Sequence, residues 1–308
     1  MTLTAYLDES GHNDKLLVMG GFVSTPEKWL EFSKECDLIK AHFHIPYIHA
    51  AELFSPKSTR HYGHLNLGRR REVLGCLMSA IIDHAELSAA VTVIPRLYDS
   101  LTTNQWRSKH GSSYAGCVNG FLIGLVGYLD ISQGETLALN LFLEDGHAHA
   151  NEAEEMIRDY KAFYDESDVP VLGGPAETVL SIGDYGLIEK GTASPLWAAD
   201  LICYCTYNQI MRHDPLCTEI METLHERVSG FGVCLGRKQI EAMIESAADA
   251  EKLKREWQAD MHHNVRYLYQ FGITAHKEKR GVMFDFTGMS SVQKENFMND
   301  TKAKFPEG

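Results

Sequence analysis

Three acidic motifs lie far apart in this chain: Asp8-Glu9-Ser10-Gly11, Glu144-Asp145-Gly146 and the lone Asp200. Apolar sequence precedes each of them: Leu3 to Leu7, Leu137 to Leu143, and Leu196-Trp197-Ala198-Ala199. Acids are disfavoured in core strands, and burying a charge is costly unless a cation or partner offsets it. Carboxylates at the tips of core strands therefore point to a metal or proton-transfer site. Such oxygen ligands suit hard divalent cations, above all Mg²⁺ or Mn²⁺. Two such ions about 3.5–4 Å apart activate a water and stabilise a leaving oxygen, which is the machinery of phosphodiester hydrolysis. In this reading Asp8 bridges the metals, while Glu144 or Asp145 and Asp200 hold one each. Plainer readings stand beside it. Asp, Ser and Gly are ordinary turn residues, and Asp200 alone suits a helix position paired with Arg or water.

Further candidates surround these acids. Glu9 adjoins Asp8. His49 and Glu52 are three apart, share a helical face, and suit either an extra ligand, a proton donor to the leaving group or a structural hydrogen bond. His147 and His149 follow the Glu144-Asp145 pair, and a histidine there suits metal binding or proton movement. Asp184, flanked by Gly183 and Gly186, reads first as a turn residue. Lys190 and Thr192 read as loop residues able to touch a phosphate. Lys57, Arg60, His61, His64, Arg69, Arg70 and Arg71 form the densest basic stretch, suited to a nucleic-acid backbone or to a solvated helix start. A weaker basic run spans His276 to Arg280. Trp106, Trp197 and Trp257 suit stacking on bases, although core packing is the commoner fate of tryptophan. No glycine-rich phosphate loop and no Gly-x-Ser-x-Gly elbow is present, which sets aside nucleotide-driven motors and serine hydrolases.

The elements that must position these residues follow from apolar periodicity. Strands are expected over Thr2–Leu7 and Leu16–Val23, joined as a hairpin through a loop containing Asn13. A helix opens at Pro26 with Trp29, Phe32, Cys36 and Ile39 on one face. A loop from His42 to Asn66 and an amphipathic helix over Leu67–His84 precede a third strand over Glu86–Ile94. A buried helix over Ser113–Leu129 and a strand over Thr136–Leu143 follow. Asn151–Tyr164 reads as a helix with Met156, Tyr160 and Phe163 inward. Beyond a loop with Gly173-Gly174-Pro175, Thr178–Ile182 reads as a short fifth strand. Ser194-Pro195 opens a helix to about Met211. Its expected docking face is Leu196, Ala199, Cys203 and Ile210, with Ala198 and Ala199 small enough to bring Asp200 close to the sheet. Beyond Pro215 the chain reads as mostly helical, with charges at helical spacing over Arg237–Tyr269 and a mixed tail from Gly281. Three antiparallel strands followed by two parallel crossovers form the ribonuclease H-like pattern: an α/β, mixed five-stranded sheet with helices inserted after strand two. The expected division is 1–212 for this domain and 213–308 for a helical C-terminal extension. The first and fourth strands then lie side by side, with their carboxyl ends together, where ligands of such sheets bind.

Bulk properties narrow the setting. The chain has 308 residues and a formal net charge of −13, which argues against tight non-specific binding to bulk nucleic acid but allows a local basic groove. Seven cysteines, an odd number in mostly apolar contexts, fit reduced thiols rather than a disulfide framework. Cys203-x-Cys205 points two thiols apart on a helix and is a poor zinc knuckle. No apolar run is long enough for a membrane span and no signal pattern opens the chain, so a cytoplasmic location and no membrane partner are expected.

Three of these segments together resemble a bacterial family, the one numbered 3800 among domains of unknown function: Asp8-Glu9-Ser10-Gly11, Ile48-His49-Ala50-Ala51-Glu52-Leu53 and Ser194-Pro195-Leu196-Trp197-Ala198-Ala199-Asp200-Leu201-Ile202-Cys203-Tyr204. The resemblance spans roughly residues 1–212. It implies a ribonuclease H-like fold, metal-dependent nuclease activity, a setting beside mobile elements or phage-defence genes, and Asp8 and Asp200 as site residues, with Glu144 joining them. Trp197 stands where the family usually shows Gln, a departure that leaves the acid in place. The expected activity is a Mg²⁺- or Mn²⁺-dependent nuclease acting on DNA or RNA. Two alternatives remain: a binding or assembly subunit on a nuclease-like scaffold, meeting protein partners or a second copy through its C-terminal helices, and a phosphoesterase of small nucleotides.

Overall fold

The computed structural model describes residues 2–11, 15–55, 57, 61–129, 137–166 and 180–245, and every statement below concerns these. The expectations for Asn13, Arg60, the side chain of Phe163, Gly173-Gly174-Pro175, Trp257, His276–Arg280, the tail from Gly281 and most of Arg237–Tyr269 lie outside them.

The elements run β1 (Thr2–Ser10), β2 (Leu17–Ser24), α1 (Pro26–Phe43), α2 (Ala50–Phe54), α3 (Leu67–His84), β3 (Leu87–Val93), α4 (Pro95–Leu101), α5 (Asn104–His110), α6 (Ser113–Tyr128), β4 (Leu137–Asp145), α7 (Ala150–Glu166), β5 (Leu180–Glu189), α8 (Pro195–Arg212), α9 (Pro215–Arg227) and β6 (Gly230–Leu235). Residues 237–245 are helical as well. The strands form one mixed sheet in the order β5-β4-β1-β2-β3-β6. β2 is antiparallel to β1 and β3, whereas β4 is parallel to β1 and β5, and β6 is parallel to β3. β2 is buried along its whole length, as a central strand covered on both faces must be, and its near-continuous apolar run reflects that.

Two apolar cores flank the sheet. One gathers Trp29, Phe32 and Cys36 of α1, Val73 and Leu77 of α3, Trp197, Leu201 and Ile202 of α8 and Ile220 and Leu224 of α9. The other gathers Leu3, Ala5 and Leu7 of β1, Leu139, Leu141 and Leu143 of β4, Tyr98 of α4, Phe121 and Leu125 of α6, and Ile157 of α7. The period-two alternation of β4 sends odd residues to the second core, while Tyr6 and Phe142 stack on the opposite face at 5.4 Å. No helix among the described residues is long and apolar enough to cross a membrane.

Several expectations need correction. The sheet has six strands rather than five, because the stretch read as a helical extension supplies α9 and then β6. Gly230 to Leu235 is short and carries two glycines, so its alternation is faint, and its place is fixed by pairing with β3 instead. Of the stretch expected as an extension, α9 joins the first core and β6 joins the sheet. β5 extends to Glu189 rather than ending at Ile182, through an irregularity between the pairs Leu139–Ile182 and Leu141–Tyr185. One extra β5 residue is absorbed there, so Asp184 is a strand residue rather than a turn, its N–H donating to Asn140 Oδ1 at 2.9 Å. The loop from His42 to Asn66 contains α2, and α4 and α5 follow Pro95. Ser194 stands at the N-cap with helical dihedrals and makes no capping bond with its side chain, and Ile210, expected on the docking face of α8, is exposed.

Candidate metal centre

β1 and β4 pair in parallel with Leu7 beside Leu143, so the next residues, Asp8 and Glu144, lie side by side at the carboxyl edge of the sheet. Both share the parity of Tyr6 and Phe142, which sets them on the face that α8 covers. α8 crosses β1 and β2 with Ala198 and Ala199 fully buried. Its Cys203 thiol donates to the carbonyls of Asp8 (3.0 Å) and Gly20 (3.4 Å). A side chain at Gly20 would meet both the Ala89 carbonyl (2.7 Å) and that sulfur (3.4 Å), so glycine here lets the helix settle onto the strands. Asp200 arrives on the same face from α8.

The three acids meet at one cation, and it belongs to the chain. Lys190, the first residue after β5, places Nζ 3.2 Å from Asp8 Oδ2, 3.2 Å from Glu144 Oε2 and 3.2 Å from Asp200 Oδ1. Any two of these oxygens are therefore separated by at most twice that distance. The Asp8, Glu144 and Asp200 side chains are 0%, 12% and 8% exposed, so the charges are taken out of water together.

Oxygens of Asp8, Glu9 and Glu144 also lie within 4.8 Å of one another, close enough to share a metal ion. Glu9 has the opposite parity to Asp8, yet at the end of the strand its carboxylate reaches over the edge. Its N–H donates to Asp8 Oδ1 at 2.6 Å, and its own Oε2 is buried without a hydrogen-bond partner. A buried orphaned carboxylate oxygen beside two further acids is a donor set that suits a hard divalent cation.

Electrostatics carry the mark of this crowding. Burial pushes the Asp8 carboxyl well above the usual range, and its hydrogen bond with Glu144 and the charge of Asp200 push it further, against the pull of Lys190. Burial, then the charge of Asp8, pushes Glu9 up to about 7. Burial alone would lower Lys190, but the charges of Asp200, Asp8 and Glu144 outweigh it and raise the ammonium above its ordinary value. Tyr114 of α6 borders the group from the other side. Burial raises its hydroxyl, with the charges of Glu9, Asp8 and Glu144 adding to the effect.

Asp200 is fixed by a second device. Its Oδ2 accepts the N–H of Ala50, the first residue of α2, at 2.5 Å, which leaves Oδ1 facing Lys190. The α2 segment is held in turn. The Tyr62 hydroxyl accepts the N–H of His49 and donates to the Tyr47 carbonyl, both at 3.0 Å. Buried Arg70 donates to the carbonyls of Leu65, Glu52, Ser55 and Tyr62.

The expected site residues thus separate. Asp8, Glu9, Glu144 and Asp200 come together. Asp145 has the other parity of β4 and is exposed, away from the group. His49 stands at the N-cap position of α2 without a capping bond from its side chain and lies 3.5 Å from Glu52; what reaches Asp200 from this segment is the Ala50 main chain. His147 stacks on Tyr114 at 4.2 Å, its basicity lowered by burial and by His149, and His149 pairs with Glu152 at 2.8 Å.

The basic stretch is partly structural. Arg70 serves carbonyls, Arg69 pairs with Glu72, His64 bonds the Phe43 carbonyl and His61 packs on Tyr47. Trp197 is core, and Trp106 packs on Tyr98 and His110. Residue reasoning undervalued Lys190, Arg70 and Tyr62. For Lys190 a signal existed: Leu187-Ile188 continue the β5 pattern, which puts the following lysine at the same sheet edge as the acids. No family model matches the chain, and no curated protein shows significant similarity to it.

Proposed function

We propose that this chain is a divalent-metal-dependent phosphodiesterase of the nuclease kind, on a ribonuclease H-like sheet. The observation that carries the reading is the convergence of Asp8, Glu144 and Asp200 from three separate elements on one cation position at the carboxyl ends of neighbouring parallel strands. Five of the strands run in the order β5-β4-β1-β2-β3 with β2 antiparallel, the arrangement this reading requires. The resemblance of three segments to the bacterial family described above supports it, together with a setting in phage defence or mobile-element biology.

Asp8, Glu9, Glu144 and Asp200 would hold Mg²⁺ or Mn²⁺. Bound there, such an ion would polarise a phosphoryl oxygen and ease deprotonation of a water. The rest falls to the chain's own side chains. Ala50 N–H fixes the orientation of Asp200. Glu9, pushed up to about 7 by burial and by Asp8, would give up its proton as the ion enters. Apolar packing of α8 against β1 and β2 keeps bulk water from Asp8.

The test is direct. Purified protein is incubated with single- and double-stranded DNA, RNA and hybrid, with Mg²⁺, Mn²⁺ or EDTA. Metal-dependent cleavage is expected, lost in Asp8→Asn and Asp200→Asn variants that remain folded. Cleavage that survives both substitutions refutes the assignment. A second reading, a non-catalytic assembly subunit, draws on Lys190, which already gives the acids an internal partner. It predicts that Mn²⁺ neither binds nor raises the melting temperature.

A further inference from the structure

Lys190 holds two of the three acids that could share a metal ion, Asp8 and Glu144, and Asp200 beside them. Its ammonium is 3.2 Å from one oxygen each of Asp8, Glu144 and Asp200, whereas Mg²⁺ lies about 2.0–2.1 Å from its oxygen ligands. Both cations cannot use the same three oxygens, because they would stand in each other's place and repel strongly in a dry site. One ammonium also brings a single charge to four neighbouring carboxyl groups, where a divalent ion would bring two.

The structure gives Lys190 a way out. Its side chain is 26% exposed while that of Asp8 is 0% exposed, so part of the lysine side chain borders solvent. The main chain beneath it is fixed. Thr192 N–H and Oγ1 both donate to the Glu189 carbonyl, at 3.1 and 2.7 Å, and Gly191 takes the left-handed φ of +98° that this turn needs. Movement is thereby confined to the flexible four-carbon stem.

We propose, resting on the reading of the pocket as a metal site, that Lys190 is its tethered occupant in the metal-free protein: the ammonium holds the three acids together, yields its place to the divalent ion, and swings to the mouth, where it meets the phosphate of the substrate.

Amine labelling of the full chain followed by mass spectrometry reads this without any substrate. Lys190 should label slowly in EDTA and at least about tenfold faster with saturating Mn²⁺. Lys161, bonded to the Gly183 carbonyl at 2.7 Å, serves as an unchanging reference. In calorimetry, Lys190→Met should bind Mn²⁺ at least about tenfold more tightly than the unaltered chain, the change that losing roughly one competing charge-assisted hydrogen bond produces. If the unaltered chain binds Mn²⁺ while Lys190 labelling stays the same or slows, the exchange is overturned and the metal site stands. If neither protein binds Mn²⁺, the metal reading falls and the exchange with it.

Discussion

Glu9→Gln isolates the electrostatic strain of the pocket. Glu9 ordinarily titrates near 4.5, but in the folded chain it is pushed up to about 7 by burial and by Asp8. Between these values the folded state keeps a proton that the unfolded chain has released. Folding stability therefore falls as pH rises through this window, the reverse of the usual carboxylate behaviour. The span corresponds to about 3 kcal/mol at most, fully felt above roughly pH 8 and reduced to about 1 kcal/mol at pH 5. Glutamine keeps the shape and removes the titration. Its amide also offers donors to Asp8 and Glu144, whose oxygens lie within 4.8 Å. The variant should gain about 2 kcal/mol more over the parent at pH 8 than at pH 5, in EDTA. Urea denaturation followed by tryptophan fluorescence measures it, urea being preferable to guanidinium because it adds no screening salt. Saturating Mn²⁺ should shrink the pH 8 gap, because the parent binds it with one carboxylate more than the variant. A gain identical at both pH values would refute the argument, because Glu9 would then ionise as though solvated.

Three further outcomes follow from particular contacts. Gly21→Ala places a methyl 1.8 Å from the Tyr6 carbonyl and should cost about 3 kcal/mol or more, or abolish folding, whereas Gly127→Ala, on α6 with nothing within 4 Å, should gain about 0.5–1 kcal/mol in thermal or urea melts. Arg70→Met strips the donors from four carbonyls; a loss of about 2–3 kcal/mol or more is expected, and hydrogen exchange at the Ala50 amide should quicken, while unchanged exchange there would show that Arg70 does not hold the Asp200 contact. A thiol reagent should modify Cys76 and Cys234 in the folded protein and reach Cys36, Cys117, Cys203, Cys205 and Cys217 only in denaturant.

The acids were legible because each interrupts an apolar run at the point where a strand or buried helix face turns charged. Leu3 to Leu7 and Leu137 to Leu143 mark their strands by alternation, and the parallel pairing that brings Asp8 beside Glu144 follows from the crossover through helices. Parity then separates Glu144 from Asp145, a distinction that needs the register and not composition. Lys190 was harder to read because the glycines at 183 and 186 made β5 look finished at Ile182, when a bulge carries it seven residues further. Arg70 lay within a basic run, and nothing local distinguishes a guanidinium that grips carbonyls from its solvated neighbours. β6 left almost no trace, since a short glycine-spotted strand owes its place to the edge it covers.

That sixth strand bears on how portable the pocket is. A fragment ending after α8 keeps every acid named above, yet it strips β6 from β3 and bares a row of main-chain donors and acceptors. Such a piece would recruit strands from its neighbours. Transplanting or dissecting this acidic cluster therefore requires carrying the chain through Leu235.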